Sequence, residues 1–318
     1  MYRIGIDLGG TNVAVGIVNK NHKIVHKVSI PTPKKASADK ITDTMAQAVN
    51  LALDEAKINI DEIESFGIGS PGSVDPINGV VIYANNINML DTPICNMMEQ
   101  RIGKKFYVEN DANAAAYGEY IAGAGVGTKN FVAITLGTGL GGGIIIDGKI
   151  YSGSNHAGGE LGHTVIQMHG EKCTCGRNGC WEAYASATAL INQTKQAMCR
   201  YPDSAMWRLC GNDIEKVDGK TAFDAMRAND IAGIMVVEHY CEYVGVGIAN
   251  IINTFQPEMI CIGGGISKEK ENLTVPIVRF INGENYARRI PNGVQVKTAA
   301  LGNDAGIIGA AYIVDLYR

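Results

Sequence analysis

The sequence predicts an α/β protein of two similar lobes that face each other across a central cleft, with a metal-binding loop set into one of them. Three observations predict it. A strand, a glycine turn and a hairpin occur twice: "LGGT" at residues 8–11 runs into "VGIVNKNHKIV", and "LGTG" at 136–139 into "GGIIIDGKIY". Self-similarity of this kind reads as an internal duplication, although hairpins are common enough for two unrelated ones to look alike. The chain is 318 residues long, more than one compact domain usually holds. It carries 39 glycines where average usage gives about 22. They cluster at Gly9-Gly10, Gly137 to Gly143 and Gly263-Gly264-Gly265, places where backbone can come close to a ligand.

The elements follow in order. "RIGIDLG", "NVAVGIVN" and "KIVHKVSIP" read as three strands joined by tight turns. Ser37 caps a helix whose apolar stripe is Ile41, Met45, Ala48, Val49, Ala52 and Ala56. "IESFGIGSPGSV" is a strand ending in a Pro-Gly turn, and "KFYVEND" a buried strand that enters an alanine-rich helix to Ala122. "NFVAITLGTG" restarts the pattern, and "GGGIIIDGKIY" crosses an Asp-Gly hairpin. Asp218 or Thr221 starts one later helix, and Asp230 another that runs to about Phe255 before Pro257. "EMICIGGGIS" is a buried strand leading to three glycines, and "GNDAGIIGAAYIVDLY" a helix of small residues.

Composition removes several classes of function. Hydrophobic residues make up 46% and charged residues 19%, as in a globular protein with sizeable cores. A net charge of −4 argues against a nucleic-acid surface. Asp7 comes too early for a signal peptide, and the apolar run from Phe131 to Ile146 is split by glycines into strands and turns. The expectation is a cytoplasmic protein with no nucleic-acid and no membrane partner. Of eight cysteines, Cys95, Cys199, Cys210, Cys241 and Cys261 are scattered in apolar patterns and read as buried small hydrophobes.

Four constellations carry chemistry. In Asp7-Leu8-Gly9-Gly10-Thr11-Asn12 the glycines let backbone N–H groups face a phosphate, Thr11 adds a hydroxyl, and Asp7 can hold hydrated Mg²⁺. A plain hairpin turn is the competing reading. The second turn, Gly137-Thr138-Gly139, is neither a Walker loop nor a dinucleotide turn, because no Gly-Lys-Ser/Thr follows and the chain continues as a hairpin. Two such turns suit a triphosphate held between lobes, and Gly264-Gly265 a platform for adenine or ribose. Asn110-Asp111 sits where a buried strand opens a helix; Asp111 either caps that helix or offers a cleft carboxylate to a hydroxyl proton, with Asn110 orienting the substrate. Finally, His163, Cys173, Cys175 and Cys180 make a closed Cys₃His ligand set, the structural type of zinc site. Glu160 and Glu182 flank it, are not needed by the metal, and suit vicinal sugar hydroxyls.

With these motifs in hand, the chain resembles the ROK family of sugar kinases and sugar-responsive repressors, within the actin, hexokinase and Hsp70 superfamily. "DLGGTN", "GIGSPGSVD", "ENDANAAAYGE", "TLGTGLGGGII", "GGELGH", "CTCGRNGCWE" and "GGGIS" carry the likeness along the whole length. The resemblance implies duplicated RNase H-like (actin-like ATPase) lobes, one of residues 1–118 plus about 304–318 and a larger one of 119–303 holding the zinc loop. It implies Asp111 as general base toward a sugar 6-hydroxyl, and Gly72, Asn86, Asn110, Glu160, His163 and Glu182 as further sugar contacts. Met89 departs from the aromatic residue that glucokinases usually carry there, and Asn85 or Asn88 competes with Asn86 for its role. Asp7, Gly9, Gly10, Thr11, Asn12, Gly137, Thr138, Gly139, Gly264 and Gly265 fall in the nucleotide motifs. The family's repressors carry a winged helix-turn-helix domain before the kinase-like part, and Asp7 leaves it no room.

The sequence therefore predicts an ATP- and Mg²⁺-dependent hexose kinase with structural Zn²⁺, acting on glucose, and a homodimer or homotetramer. Competing substrates are N-acetylmannosamine, N-acetylglucosamine, fructose and allose. The competing non-enzyme is a sugar-binding sensor that has lost catalysis; a zinc-dependent hydrolase is weakened by the closed ligand set.

Overall fold

β-branched residues open the chain, and they form the first sheet of the computed structural model, which describes residues 1–284, 286, 289 and 293–317. The remaining positions, which include the last residue of the predicted C-terminal segment and part of the predicted larger lobe, lie outside the described residues. Strands β1 (Tyr2–Leu8), β2 (Asn12–Asn19) and β3 (Ile24–Pro31) make two successive antiparallel hairpins. Helix α1 (Ala38–Ala56) follows, with the Ser37 hydroxyl accepting from the Lys40 N–H at 3.3 Å and Ile41, Met45, Ala48, Val49 and Ala52 buried as its spacing predicts.

Strand β4 (Ile63–Ser70) returns parallel to β1. Three short strands, β5 (Ser73–Asp75), β6 (Val80–Ala84) and β7 (Met89–Thr92), then form a small antiparallel sheet of their own. Helix α2 (Ile94–Ile102) leads to β8 (Phe106–Asn110), parallel to β4, and α3 (Asp111–Ala122) follows at once. The first sheet is thus ordered β3-β2-β1-β4-β8.

The second sheet repeats that order. It consists of β9 (Phe131–Leu136), β10 (Leu140–Ile146), β11 (Lys149–Ile150), β12 (Met259–Gly263) and β13 (Gln295–Thr298), arranged β11-β10-β9-β12-β13. Asp147 and Gly148 both have positive φ (49° and 78°), the turn that the Asp-Gly pair predicts. Between β11 and β12 lie helices α4 (Glu182–Ala185), α5 (Ala187–Arg200), α6 (Ala205–Leu209), α7 (Thr221–Arg227) and α8 (Ile231–Phe255); α9 (Glu271–Glu284) precedes β13, and α10 (Ala305–Tyr312) follows it. Of the two residues proposed to start α7, Asp218 supplies the carboxylate, accepting from the Thr221 N–H at 3.0 Å. Asp230 caps α8 through the Gly233 N–H at 2.8 Å. Helix α8 is long and apolar enough to cross a membrane, but 56% of its apolar window is buried inside the protein, as in a core helix.

By internal contacts the chain divides into two compact units, Met1–Ala133 with Gly143–Gly159 and Ala300–Arg318, and Ile134–Gly142 with Glu160–Ala299. In the first unit α10 lies in backbone contact with both its neighbours. A Cβ on Gly309 would sit 1.7 Å from the Ala114 carbonyl oxygen of α3, and one on Gly67 would sit 1.8 Å from that of Ala310. Glu119, buried near the end of α3, accepts N–H bonds from Ala124, Ala300 and Leu301 at 2.9, 3.1 and 2.7 Å. That carboxylate ties the segment entering α10 to the same unit.

Candidate active site

In the first unit the glycine turn joins β1 to β2. Gly9 N–H donates to the Asn12 carbonyl at 2.9 Å, and Gly10, Thr11 and Asn12 are exposed. Thr32, just past β3, straps the turn: its hydroxyl donates to Gly9 O at 2.7 Å and its N–H to Thr11 O at 2.8 Å. Sequence reasoning missed Thr32, although a threonine between Pro31 and Pro33 at a strand end can bond little but distant backbone. Asp7 ends β1, and burial pushes its carboxyl above the ordinary carboxylate range, with the Lys27 charge opposing. A desolvated carboxylate beside an exposed glycine turn is stabilised by a cation, so Asp7 would fit a hydrated Mg²⁺.

The same unit brings Gly72, Asn86, Asn110 and Asp111 to the ends of these strands. Asn86, rather than Asn85 or Asn88, lies against the turn, since a Cβ on Gly10 would meet its Nδ2 at 3.7 Å. Asn88 is held in the left-handed region (φ 51°) as the cap of a short 3₁₀ turn, and Met89 is buried in the core. Asn110, not Asp111, is the cap of α3: its Oδ1 accepts from the Ala112 and Asn113 N–H groups at 2.9 and 3.2 Å. Its Nδ2 donates to the Gly72 carbonyl at 2.9 Å, fixing the Pro-Gly turn. Relieved of capping, Asp111 occupies the first helical position, half-buried, with Oδ1 accepting from the Ala112 N–H at 2.8 Å.

The second unit holds the second turn, where Gly137 N–H donates to Gly139 O at 3.0 Å. It too is strapped, but by the start of α5: Ala187 N–H donates to Gly137 O at 2.8 Å and the Thr188 hydroxyl to Thr138 O at 2.7 Å. Gly264 (φ 83°) follows β12, and a Cβ there would meet the Leu136 carbonyl oxygen at 2.4 Å. Only glycine allows that approach, which sets Gly264 against the strand feeding the turn; Gly265 beside it faces open space.

The cysteine loop closes as its spacing predicts. A ring nitrogen of His163 and the Sγ atoms of Cys173, Cys175 and Cys180 all lie within 4.8 Å of one another. Cys173 Sγ is 3.7 Å from His163 Nδ1, and Cys175 Sγ is 3.7 Å from Cys180 Sγ. Tetrahedral thiolates on zinc bonds of about 2.3 Å stand about 3.8 Å apart, so the donor set fits zinc with no open position. Exposed Glu160 precedes His163, and its backbone carbonyl accepts from the His163 backbone N–H at 3.1 Å. Glu182, the first residue of α4, turns toward the protein: Oε2 accepts from the Leu140 N–H at 2.9 Å and Oε1 from the Thr174 hydroxyl at 3.2 Å. A Cβ on Gly139 would lie 2.4 Å from Oε2, so this carboxylate fills the space beside the second turn.

The predicted residues therefore form two groups, Asp7, Gly9 to Asn12, Gly72, Asn86, Asn110 and Asp111 in one unit and Gly137 to Gly139, Glu160, His163, Glu182, Gly264 and Gly265 in the other.

Comparison with known proteins extends this picture. The family model described as the ROK family matches residues 3–316. The glucokinase of Halalkalibacterium halodurans is 38% identical over 98% of this chain and 94% of its own length. The glucokinase of Thermotoga maritima is 38% identical over 98% of this chain and 96% of its own. Among solved structures, a ROK family glucokinase from Streptomyces griseus in complex with glucose and AMPPNP superposes with a TM-score of 0.82 at 36% identity, covering 98% of each chain.

Proposed function

Because the chain belongs to the ROK family, we propose that it is an ATP-dependent glucose kinase, transferring the γ-phosphate to the sugar 6-hydroxyl. The observation that carries this reading is near-full-length identity of 38% to glucokinases in a chain that keeps Asp111 and both glycine turns. Kept catalytic and phosphate residues weigh against a silent sensor, which has no use for a base.

Asp111 accepts the 6-hydroxyl proton as that oxygen attacks phosphorus. The bond from Ala112 N–H fixes its carboxylate, so the acceptor needs no reorganisation during transfer. Asn110 has one amide N–H on Gly72 and directs the other at a sugar hydroxyl. Gly72, Asn86, Glu160, His163 and Glu182 complete the sugar set, His163 through the ring nitrogen that does not face the cysteines. With the Gly9 and Gly137 N–H groups closing the two turns, the backbone N–H groups of Gly10 to Asn12 and of Thr138 and Gly139 take phosphate oxygens, and Gly264-Gly265 the adenosine. Mg²⁺ held through Asp7 supplies charge neutralisation on the phosphates when bound. Zinc on His163, Cys173, Cys175 and Cys180 supplies rigidity and no chemistry.

The test is ADP release with ATP and Mg²⁺ across glucose, mannose, fructose, allose, N-acetylglucosamine and N-acetylmannosamine, using zinc-replete protein. Glucose is expected to give the highest kcat/KM. Preference for an N-acetyl sugar would replace the substrate, and silence with every sugar would overturn the kinase reading.

A further inference from the structure

We infer that Glu109 and Tyr317 are positioning residues for Asp111. The inference rests on Asp111 being the base, and begins from a buried charge that neither turn nor metal loop uses. Glu109 is the last residue but one of β8, the strand that delivers Asn110 and Asp111, and only 3% of it is exposed. A carboxylate at that depth is costly unless its oxygens are filled. They are. Oε1 accepts from the Asn110 N–H at 2.8 Å and from the buried Asn113 Nδ2 at 3.0 Å; Oε2 accepts from the Tyr317 hydroxyl at 2.6 Å.

The three donors bracket the base. Asn110 and Asn113 flank Asp111 on the first turn of α3, so one carboxylate grips the residues on either side of it. Asn110 passes the grip on, because its Oδ1 holds the Ala112 and Asn113 N–H groups. Tyr317 comes from far along the chain, and its phenol is pushed well above its ordinary pKa by burial and by Glu109, so it stays a donor. Its own position is fixed by the segment it ends. Gly309 and Gly67 let α10 touch α3 and β4, Tyr312 donates to Asn19 O at 2.8 Å, and Arg3 pairs with Asp315 at 2.7 Å. The packed first unit therefore reaches the base through one phenol and one carboxylate, and fixes where the Asp111 carboxylate stands when the hydroxyl arrives.

A group acting this way changes the chemical step and leaves binding alone, which a general loss of stability does not do. The experiment is a double-mutant cycle of Tyr317→Phe and Glu109→Gln, with kcat and both KM values measured for each protein. Tyr317→Phe removes a single oxygen but takes a donor from the buried Glu109 carboxylate, so a cooperative melt first checks that the variant folds. Each single variant is expected to lower kcat about tenfold with both KM values within about twofold. The double variant is expected to be no slower than the slower single, because both remove one linkage. A wild-type kcat in Tyr317→Phe overturns the inference, as do losses that multiply or KM values that rise in step with the fall in kcat. Wild-type protein with no kinase activity would instead sink the kinase reading, a separate result visible before any variant is made.

Discussion

The two glycine turns are the same device held in different ways. Both follow the first strand of a duplicated sheet, and both close with one short backbone bond, Gly9 to Asn12 at 2.9 Å and Gly137 to Gly139 at 3.0 Å. The first is strapped locally, by Thr32 at the end of the same hairpin set. The second is strapped by Ala187, Thr188 and Glu182, which come after the cysteine loop in the chain. Duplication preserved the strand order and the turn but not the fastening. The second turn alone is held by residues that follow the Cys₃His loop in the chain.

Of three predictions, two test that contrast. The largest effect belongs to neither turn: Asp111→Asn should lower kcat about a thousandfold while calorimetric glucose affinity stays within about twofold. Activity surviving above a few per cent would remove Asp111 as the base and leave the turns to explain catalysis. The next is Cys175→Ser, or wild-type protein stripped by a chelator. Loss of the metal should raise KM for ATP and glucose about tenfold, and amide exchange should quicken at Gly137 and Leu140 while that of Gly9 is unchanged. Equal exposure of both turns would erase the distinction. The smallest is Thr32→Val, which loses the bond to Gly9 O. It should cost about 1 kcal/mol of first-unit stability and raise KM for ATP only slightly, the same with or without zinc. A zinc-dependent effect would show that the first turn also leans on the metal loop.

Much of this was legible in the sequence because the signals are local. Ser37, Asp230 and Asp147-Gly148 act within four residues of themselves, and the Cys-x-Cys-x₄-Cys spacing needs only one loop to close. The sheet of β5, β6 and β7 was not read, since strands of 3 to 5 residues carry too little alternation to stand out from turns. At the site, residue types were legible but their partners were not. Asn110 and Glu182 stand out as polar residue types, but that the Asn110 oxygen caps α3 and one Glu182 oxygen holds Leu140 N–H depends on packing. Thr32 and Thr188 reach backbone 23 and 50 residues away, and no short window contains both ends. The choice among Asn85, Asn86 and Asn88 likewise waits on which one packs against Gly10.

The seat of α10 has a consequence for synthesis. A helix of residues 305–312 packs, backbone to backbone, between strands and a helix that leave the ribosome before residue 123. At about 5–20 residues per second the early part of the chain waits some 10–40 s for its last piece. The middle unit, Ile134–Gly142 with Glu160–Ala299, is emitted complete during that wait. Assembly thus runs out of chain order: the groove lined by Gly5, Gly67 and Gly118 stays unfilled until α10 has been made.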